Sequence, residues 1–185
     1  FRPGFPGWTS SGRSLPVLTE LTAMSVVFRD YLKAGDLDSL AGVMRSTGLF
    51  YDFETDVALE VLGSCLDQGE ASGYYCLVAE KDNICAGYAV YGPTPCTLSS
   101  WDIYWMAVSK NLQGIGLGSD LMTRVQQNII LLGGTLIWIE TSGRAAYLPT
   151  RKFYEKHHYL RMAELPDFYA PGDGKVIYGK KVCSF

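Results

Sequence analysis

The residues with the clearest chemical potential form a glycine-rich run, Gln113-Gly114-Ile115-Gly116-Leu117-Gly118-Ser119. It joins an apolar stretch to an amphipathic one. Gly114, Gly116 and Gly118 strip side chains from the approach to a helix start, so bare amide N–H groups and the positive end of the helix dipole face whatever lies there. That arrangement suits phosphate. Two rival phosphate loops fail on spacing. The run reads G-x-G-x-G rather than the G-x-G-x-x-G of a dinucleotide turn, and no Gly-Lys-Ser/Thr follows for a Walker loop. A turn whose glycines serve only packing is the bland alternative. The five cysteines (Cys65, Cys76, Cys85, Cys96, Cys183) are scattered and never spaced as C-x-x-C. They suggest neither a zinc site nor a disulfide framework, and read as small apolar residues of a reduced, cytoplasmic protein.

The elements around the run must position it. Trp101–Val108 is a strongly apolar strand, the following helix runs to about Leu132, and Gly133-Gly134 ends it before a short buried strand at Leu136–Glu140. Strand, glycine turn, helix, strand makes a right-handed crossover between parallel strands. In the helix, Leu117, Leu121, Val125 and Ile129 share one side, with Asp120, Thr123, Arg124 and Gln127 away from it. Upstream, the pattern predicts a strand over 25–31 and a helix from a capping Asp36 to about Arg45. A second helix is predicted from Glu54 or Thr55, with Val57, Val61 and Cys65 as its stripe and Ala58 and Leu62 beside it. Tyr74–Glu80 and Ile84–Tyr91 read as a hairpin across Lys81-Asp82-Asn83. Downstream, a helix begins on Pro149 and ends near Lys156. Antiparallel strands Tyr159–Leu165 and Val176–Val182 then flank a Pro/Gly/Asp loop. The fold class is α/β with a mixed sheet.

Length and charge bound the rest. At 185 residues the chain fits one domain. A net charge of −3 without a basic run argues against nucleic acid or an anionic membrane as main partner. No apolar run approaches the ~20 residues needed to span a bilayer. Residues 1–23 are rich in Gly, Pro and Ser and lack the charged start and apolar core of a secretory signal. They read as a leader, linker or tail, or a remnant of a targeting segment, with the domain occupying 24–185.

The run fills the Gln/Arg-x-x-Gly-x-Gly/Ala signature of the GNAT superfamily of N-acetyltransferases, with Gln113, Gly116 and Gly118 at its fixed positions after Met106-Ala107-Val108. The resemblance extends through Phe153-Tyr154-Glu155-Lys156-His157-His158-Tyr159, which looks like the family's Phe/Leu-Tyr-Glu-Lys-x-Gly-Phe/Tyr segment. In order of elements it covers about 25–183, and in recognisable motif 101–160. It implies a mostly antiparallel sheet with a central splayed parallel pair, helices on both faces, and acetyl-CoA in the cleft of the splay. Backbone groups of Ala107 and Val108 would then pair with the pantetheine arm. The amides of the turn (Gln113, Gly114, Ile115, Gly116, Gly118, Ser119) would hold the pyrophosphate, and Arg151 is either a further anion contact or a solvated charge.

By the same resemblance Tyr154 stands at the usual general-acid position. A phenol with an ordinary pKa near ~10 keeps its proton at neutral pH and can give it to the thiolate leaving group. For the base, Asp102 occupies the strand position where some members carry a glutamate and would act through a water. Glu140, ending the second splayed strand, is the other carboxylate. The alternatives are a polar strand-edge residue for Asp102, an ion-paired one for Glu140, and solvent as base. His157 and His158 are expected to cap the helix end or face solvent. Two departures stand out. Tyr147 replaces the frequent cofactor-contacting Asn, and His158 replaces Gly, which predicts a different helix-to-strand turn.

The acceptor side is expected between Phe50-Tyr51-Asp52-Phe53 and the loop Pro166–Gly174, with Phe50, Tyr51, Phe53 and Tyr169 as contacts. Aromatic rings with Asp52, Asp167 and Asp173 suit a cationic amine with an apolar body; packing of Phe50, Phe53 and Phe168 under the loops is the competing explanation. The acceptors in order of preference are a small amine, an amino acid and a peptide N-terminus. No metal is expected, and a homodimer is left open. A non-catalytic acyl-CoA-binding sensor is the rival class; it would keep the glycine turn but need neither Tyr154 nor a cleft carboxylate.

Overall fold

A computed structural model describes residues 26–182. The expected leader and Cys183 lie outside the described residues. Seven strands and four α-helices follow in the order β1 (Val26–Arg29), α1 (Asp36–Thr47), α2 (Asp52–Gln68), β2 (Tyr75–Lys81), β3 (Ile84–Pro93), β4 (Ser100–Val108), α3 (Leu117–Leu131), β5 (Leu136–Ser142), α4 (Leu148–Lys156), β6 (Leu160–Ala170) and β7 (Asp173–Lys181). They form one sheet of order β1-β2-β3-β4-β5-β7-β6, in which β4 and β5 pair in parallel and every other pair is antiparallel.

Alternation along the strands feeds two cores. Leu77 and Ala79 of β2 join Leu117, Leu121, Met122, Val125 and Ile129 of α3 on one face. Cys76 and Val78 join Leu40, Val43 and Met44 of α1 with Ala58 and Leu62 of α2 on the other. The stripe anticipated on α3 is buried residue for residue. On α2 the pattern is shifted: Thr55, Ala58 and Leu62 are buried, whereas Val57 is exposed and faces the cleft. Asp82 and Asn83 both take positive φ (53° and 63°), the requirement of a two-residue hairpin turn that follows the strand twist.

Three starts and stops differ from expectation. Asp36 is the first residue of α1 rather than its cap, because it is buried in a two-pronged ion pair with Arg29, both contacts 2.7 Å. Helix α2 begins two residues early, at Asp52, where the Glu54 carboxylate accepts the Tyr51 amide at 2.8 Å. The expected 166–174 loop is largely strand: β6 runs to Ala170 and turns back at Pro171-Gly172, with an irregular excursion between Leu165 and Ala170.

Two features open the sheet. The parallel ladder stops at Ile103 opposite Ile139, so the rest of β4 and the end of β5 diverge. At the same level a bulge in β4 skips Tyr104 in the pairing with β3, and bulges bend the strand that carries them. Among the described residues no helix is long and apolar enough to cross a membrane.

Candidate active site

The divergence of β4 from β5 opens a cleft of about 1110 Å³. At one end lies the glycine turn. Gly114 and Gly116 have φ of 80° and 99°, in the region open to glycine at little cost, and Gly116 caps α3 in that conformation. Gln113 anchors the turn by donating its side-chain amide to the Val108 carbonyl at 3.1 Å. The first paired amides of α3 belong to Ser119 and Asp120, both donating to Gly116 O. Consequently the N–H groups of Gly114, Ile115, Gly116, Leu117 and Gly118 have no backbone acceptor among the described residues. Five such donors at a helix N-terminus match a pyrophosphate better than any neutral group. Ser119 departs from expectation, since its amide is consumed and only its hydroxyl stays at the cleft, 3.0 Å from His157 Nε2. His157 thus reaches back to the turn and packs on Phe153 at 4.5 Å; burial, then Lys180 and Lys156, hold its pKa below the usual histidine value.

Ala107 and Val108 line the same end, on the edge of β4 that has lost β5 as a strand partner. Ile115, expected to contact the cofactor, is not among the cleft-lining residues, and its side chain turns outward, 63% exposed. Arg151 is a correction. It is not among the cleft-lining residues, and its guanidinium donates to the carbonyls of Ser142 and Arg144 at 2.8 and 2.9 Å. It holds the β5–α4 connection in shape.

Tyr154 sits midway, buried, lining the cleft and caged by Phe153, Tyr159 and Tyr178. Burial pushes its phenol well above the ordinary tyrosine value, and no hydrogen bond to its hydroxyl forms among the described residues. It is a protonated donor without a recipient. The turn after α4 is not altered by His158: that residue adopts φ 64°, the left-handed geometry that glycine takes freely, and holds it despite its Cβ.

The two candidate bases differ. Asp102 faces the cleft with its carboxylate accepting the Thr94 hydroxyl at 2.6 Å; burial raises its pKa, the Thr94 bond pulls it back, and the charge of Glu140 adds to the rise. Glu140 is more exposed and paired with Lys175 Nζ at 2.6 Å.

At the far end Phe50, Tyr51, Phe53, Phe168 and Tyr169 all line the cleft. Phe50 also packs on the α1/α2 core, while Phe53 is 65% exposed. The acids expected there do not serve together. Asp52 and Asp167 are outside the lining, Asp167 accepting the Gly172 amide, and buried Asp173 is held by Ser142 and Arg144. Arg144, which sequence reasoning missed, bonds Tyr51 and Leu49 on one wall and Asp173 on the other. Tyr147 is buried beside it with its hydroxyl on the Leu49 carbonyl. A charged residue directly after Ser142-Gly143, where a splayed strand ends, was the available signal; Thr94 in its Pro-Thr-Pro loop offered none. No group of three or more acidic, Cys or His side chains suited to a metal occurs among the described residues.

The chain resembles several solved structures. A GNAT-family protein from Desulfovibrio desulfuricans shares 42% identity over 85% of this chain and 99% of its own, with a TM-score of 0.82. The ribosomal-protein-S18-alanine N-acetyltransferase of Escherichia coli shares 16% identity over 87% and 96%, at a TM-score of 0.68. An aminoglycoside 6'-N-acetyltransferase complexed with coenzyme A shares 15% identity over 86% and 98%, at 0.70. No curated protein matches. The family described as acetyltransferase (GNAT) domain matches residues 72–160, from the start of the β2–β3 hairpin through Tyr154. The chain belongs to the GNAT family of acetyltransferases, enzymes that take their acetyl group from acetyl-CoA.

Proposed function

We propose that the protein is an acetyl-CoA-dependent N-acetyltransferase acting on a primary amine by direct attack. The observation that carries the reading is the convergence in one cleft of a glycine turn whose lining residues Gly114, Gly116 and Gly118 have acceptor-free amides, a protonated Tyr154 without a partner, and a half-buried carboxylate at Asp102. Residues 114–118 would hold the pyrophosphate and the free edge of β4 at Ala107 and Val108 the pantetheine arm. When bound, acetyl-CoA supplies the activated thioester. Tyr51, Phe53 and Tyr169 flank the acceptor's approach.

Two protons leave the acceptor nitrogen as an ammonium becomes an amide. Asp102, directly or through a water, passes one to solvent; its raised pKa brings it nearer to that of the group it must deprotonate. The other makes good the proton that Tyr154 Oη gives to the sulfur. Glu140 is the weaker candidate because its carboxylate is held in an ion pair by Lys175 at 2.6 Å. The test is thiol release from acetyl-CoA with a panel of amines, using Tyr154→Phe as control. Turnover that collapses in the variant supports the assignment; donor binding without turnover of any amine favours the sensor instead.

A further inference from the structure

The acceptor end of the cleft carries an excess of acid. Glu54, Asp102, Glu140 and Asp173 line it, and the charges of Glu140, Asp173 and Glu54 all bear on the Tyr169 phenol. Three cations line the cleft, and two of them stand at the donor end. Lys110 lies between Val108 and the glycine turn, and Lys156 closes α4 beside His157, the residue that touches Ser119.

The third cation, Arg144, is committed. Its Nε pairs with Asp173 at 3.1 Å and donates to Ser142 Oγ, Nη1 donates to the Tyr51 hydroxyl at 2.5 Å, and Nη2 to the Leu49 carbonyl at 3.2 Å. The rings of Tyr51 and Tyr147 lie 4.5 and 5.1 Å from its central carbon. Lys175 stands outside the lining, bonded to Glu140 and 3.7 Å over the Phe168 ring. With Arg144 paired to Asp173 and Lys175 to Glu140, Glu54 and Asp102 leave this end with net negative charge. A carboxylate entering it meets excess acid and no uncommitted cation.

The apolar surface is in the opposite condition. Tyr51 and Phe53 stack at 5.4 Å on one wall, Phe168 and Tyr169 meet edge-on at 5.0 Å on the other, and all four are exposed. Exposed rings converging in a concave site are surface ready to be covered by a ligand. Resting on the acetyltransferase reading, the geometry points to an acceptor that is a cationic amine on an aromatic or apolar body, with no ionised carboxylate on the carbon bearing the nitrogen. Free α-amino acids are thereby rejected, and simple amines or amines next to a neutral carbonyl are taken.

A matched series tests this: phenethylamine, phenylalaninamide and phenylalanine, each with acetyl-CoA. Phenylalaninamide keeps the substituent but not its charge, so it separates bulk from electrostatics. The first two are turned over, and phenylalanine shows kcat/KM about 100-fold below phenylalaninamide, the scale of an unpaired like charge in a partly desolvated site. Asp173→Asn keeps an acceptor for Ser142 but leaves the Arg144 charge uncompensated, and narrows that gap about tenfold. Should that variant fail to fold, Tyr51→Phe releases one Nη1 donor from an exposed ring and narrows the gap by a smaller factor. Phenylalanine used as well as phenylalaninamide overturns the inference. If none of the three is acetylated although acetyl-CoA binds, the acceptor assignment falls and the donor half of the reading stands. Absence of acetyl-CoA binding sinks the acetyltransferase reading and the inference with it.

Discussion

At the donor end of the cleft, five consecutive backbone amides, from Gly114 to Gly118, have no backbone acceptor among the described residues. At the acceptor end, one arginine binds both walls, and its partners Tyr51 and Leu49 lie 93 and 95 residues away in the chain. The first region is built to be completed by a ligand; in the second the polar groups complete one another and leave aromatic surface for a ligand to cover. Backbone donors recognise phosphate through a conformation that only particular glycines permit, so the recognition is written into local spacing. Side-chain bonds across the sheet position the acceptor walls, so their logic is written in tertiary contacts. An anionic donor common to a whole family suits the first solution, and a preorganised wall that discriminates among amines suits the second.

The sharpest way to break this contrast is Gly116→Glu. A Cβ there meets no atom within 4 Å, so the damage comes from forcing φ 99° on a residue that resists it and from placing a carboxylate where the pyrophosphate belongs. Calorimetry should show acetyl-CoA affinity weakened by about 100-fold or more, while phenethylamine saturation in residual turnover changes little. Next in size is Tyr154→Phe. Its hydroxyl bonds nothing in the described protein, so removing it leaves the aromatic cage filled and the melting temperature close to the parent's. kcat should fall about 100-fold with KM nearly unchanged, the pattern of a proton donor rather than a packing residue.

That same contrast explains how much was legible beforehand. The α3 stripe, the hairpin at Asp82-Asn83 and the parallel crossover follow from periods and turn residues, which are local. Gly114, Gly116 and Gly118 announced the donor end for the same reason. The failures lie where a distant partner overrides a local signal. Asp36 has the type and place of a helix cap, yet Arg29 and burial draw it into an ion pair. Arg151 looked like an anion contact and is spent on two carbonyls; Asp173 looked like a free acid and is neutralised by Arg144. Even the 166–174 segment, read as loop from its Pro, Gly and Asp content, is drawn into the sheet at both ends, because β7 pairs Lys175 with Leu165 and Asp173 with Ala170 across an irregular excursion.

The carboxylates sharpen the comparison further, because at the acceptor end Asp102 is held only by the Thr94 hydroxyl while Glu140 is ion-paired with Lys175. Asp102→Asn should lower kcat by a few tens-fold, within the ordinary reach of a lost general base. Glu140→Gln should stay within about threefold in kcat, since the variant keeps an acceptor for Lys175 and changes mainly the local charge. A steady-state comparison of the two variants at one pH decides it: equal losses would return Glu140 to candidacy as the base.

The smallest expected effect is the most diagnostic of how Asp102 is tuned. Its pKa is raised by burial and by the Glu140 charge, and lowered by the Thr94 hydroxyl at 2.6 Å. The active form is the deprotonated one, so activity falls as pH drops through that raised value, which places the acid limb above the range of a free aspartate. Thr94→Val removes the one bond that favours the charged form while keeping the side-chain shape. The acid limb of kcat/KM should therefore move to higher pH, with the plateau at alkaline pH retained. Glu140→Gln should move it the opposite way, because it withdraws a like charge. Opposite displacements in the two pH profiles would identify Asp102 as the titrating group; an acid limb unmoved by either change would assign that limb elsewhere and leave Asp102 a positioning residue held by Thr94.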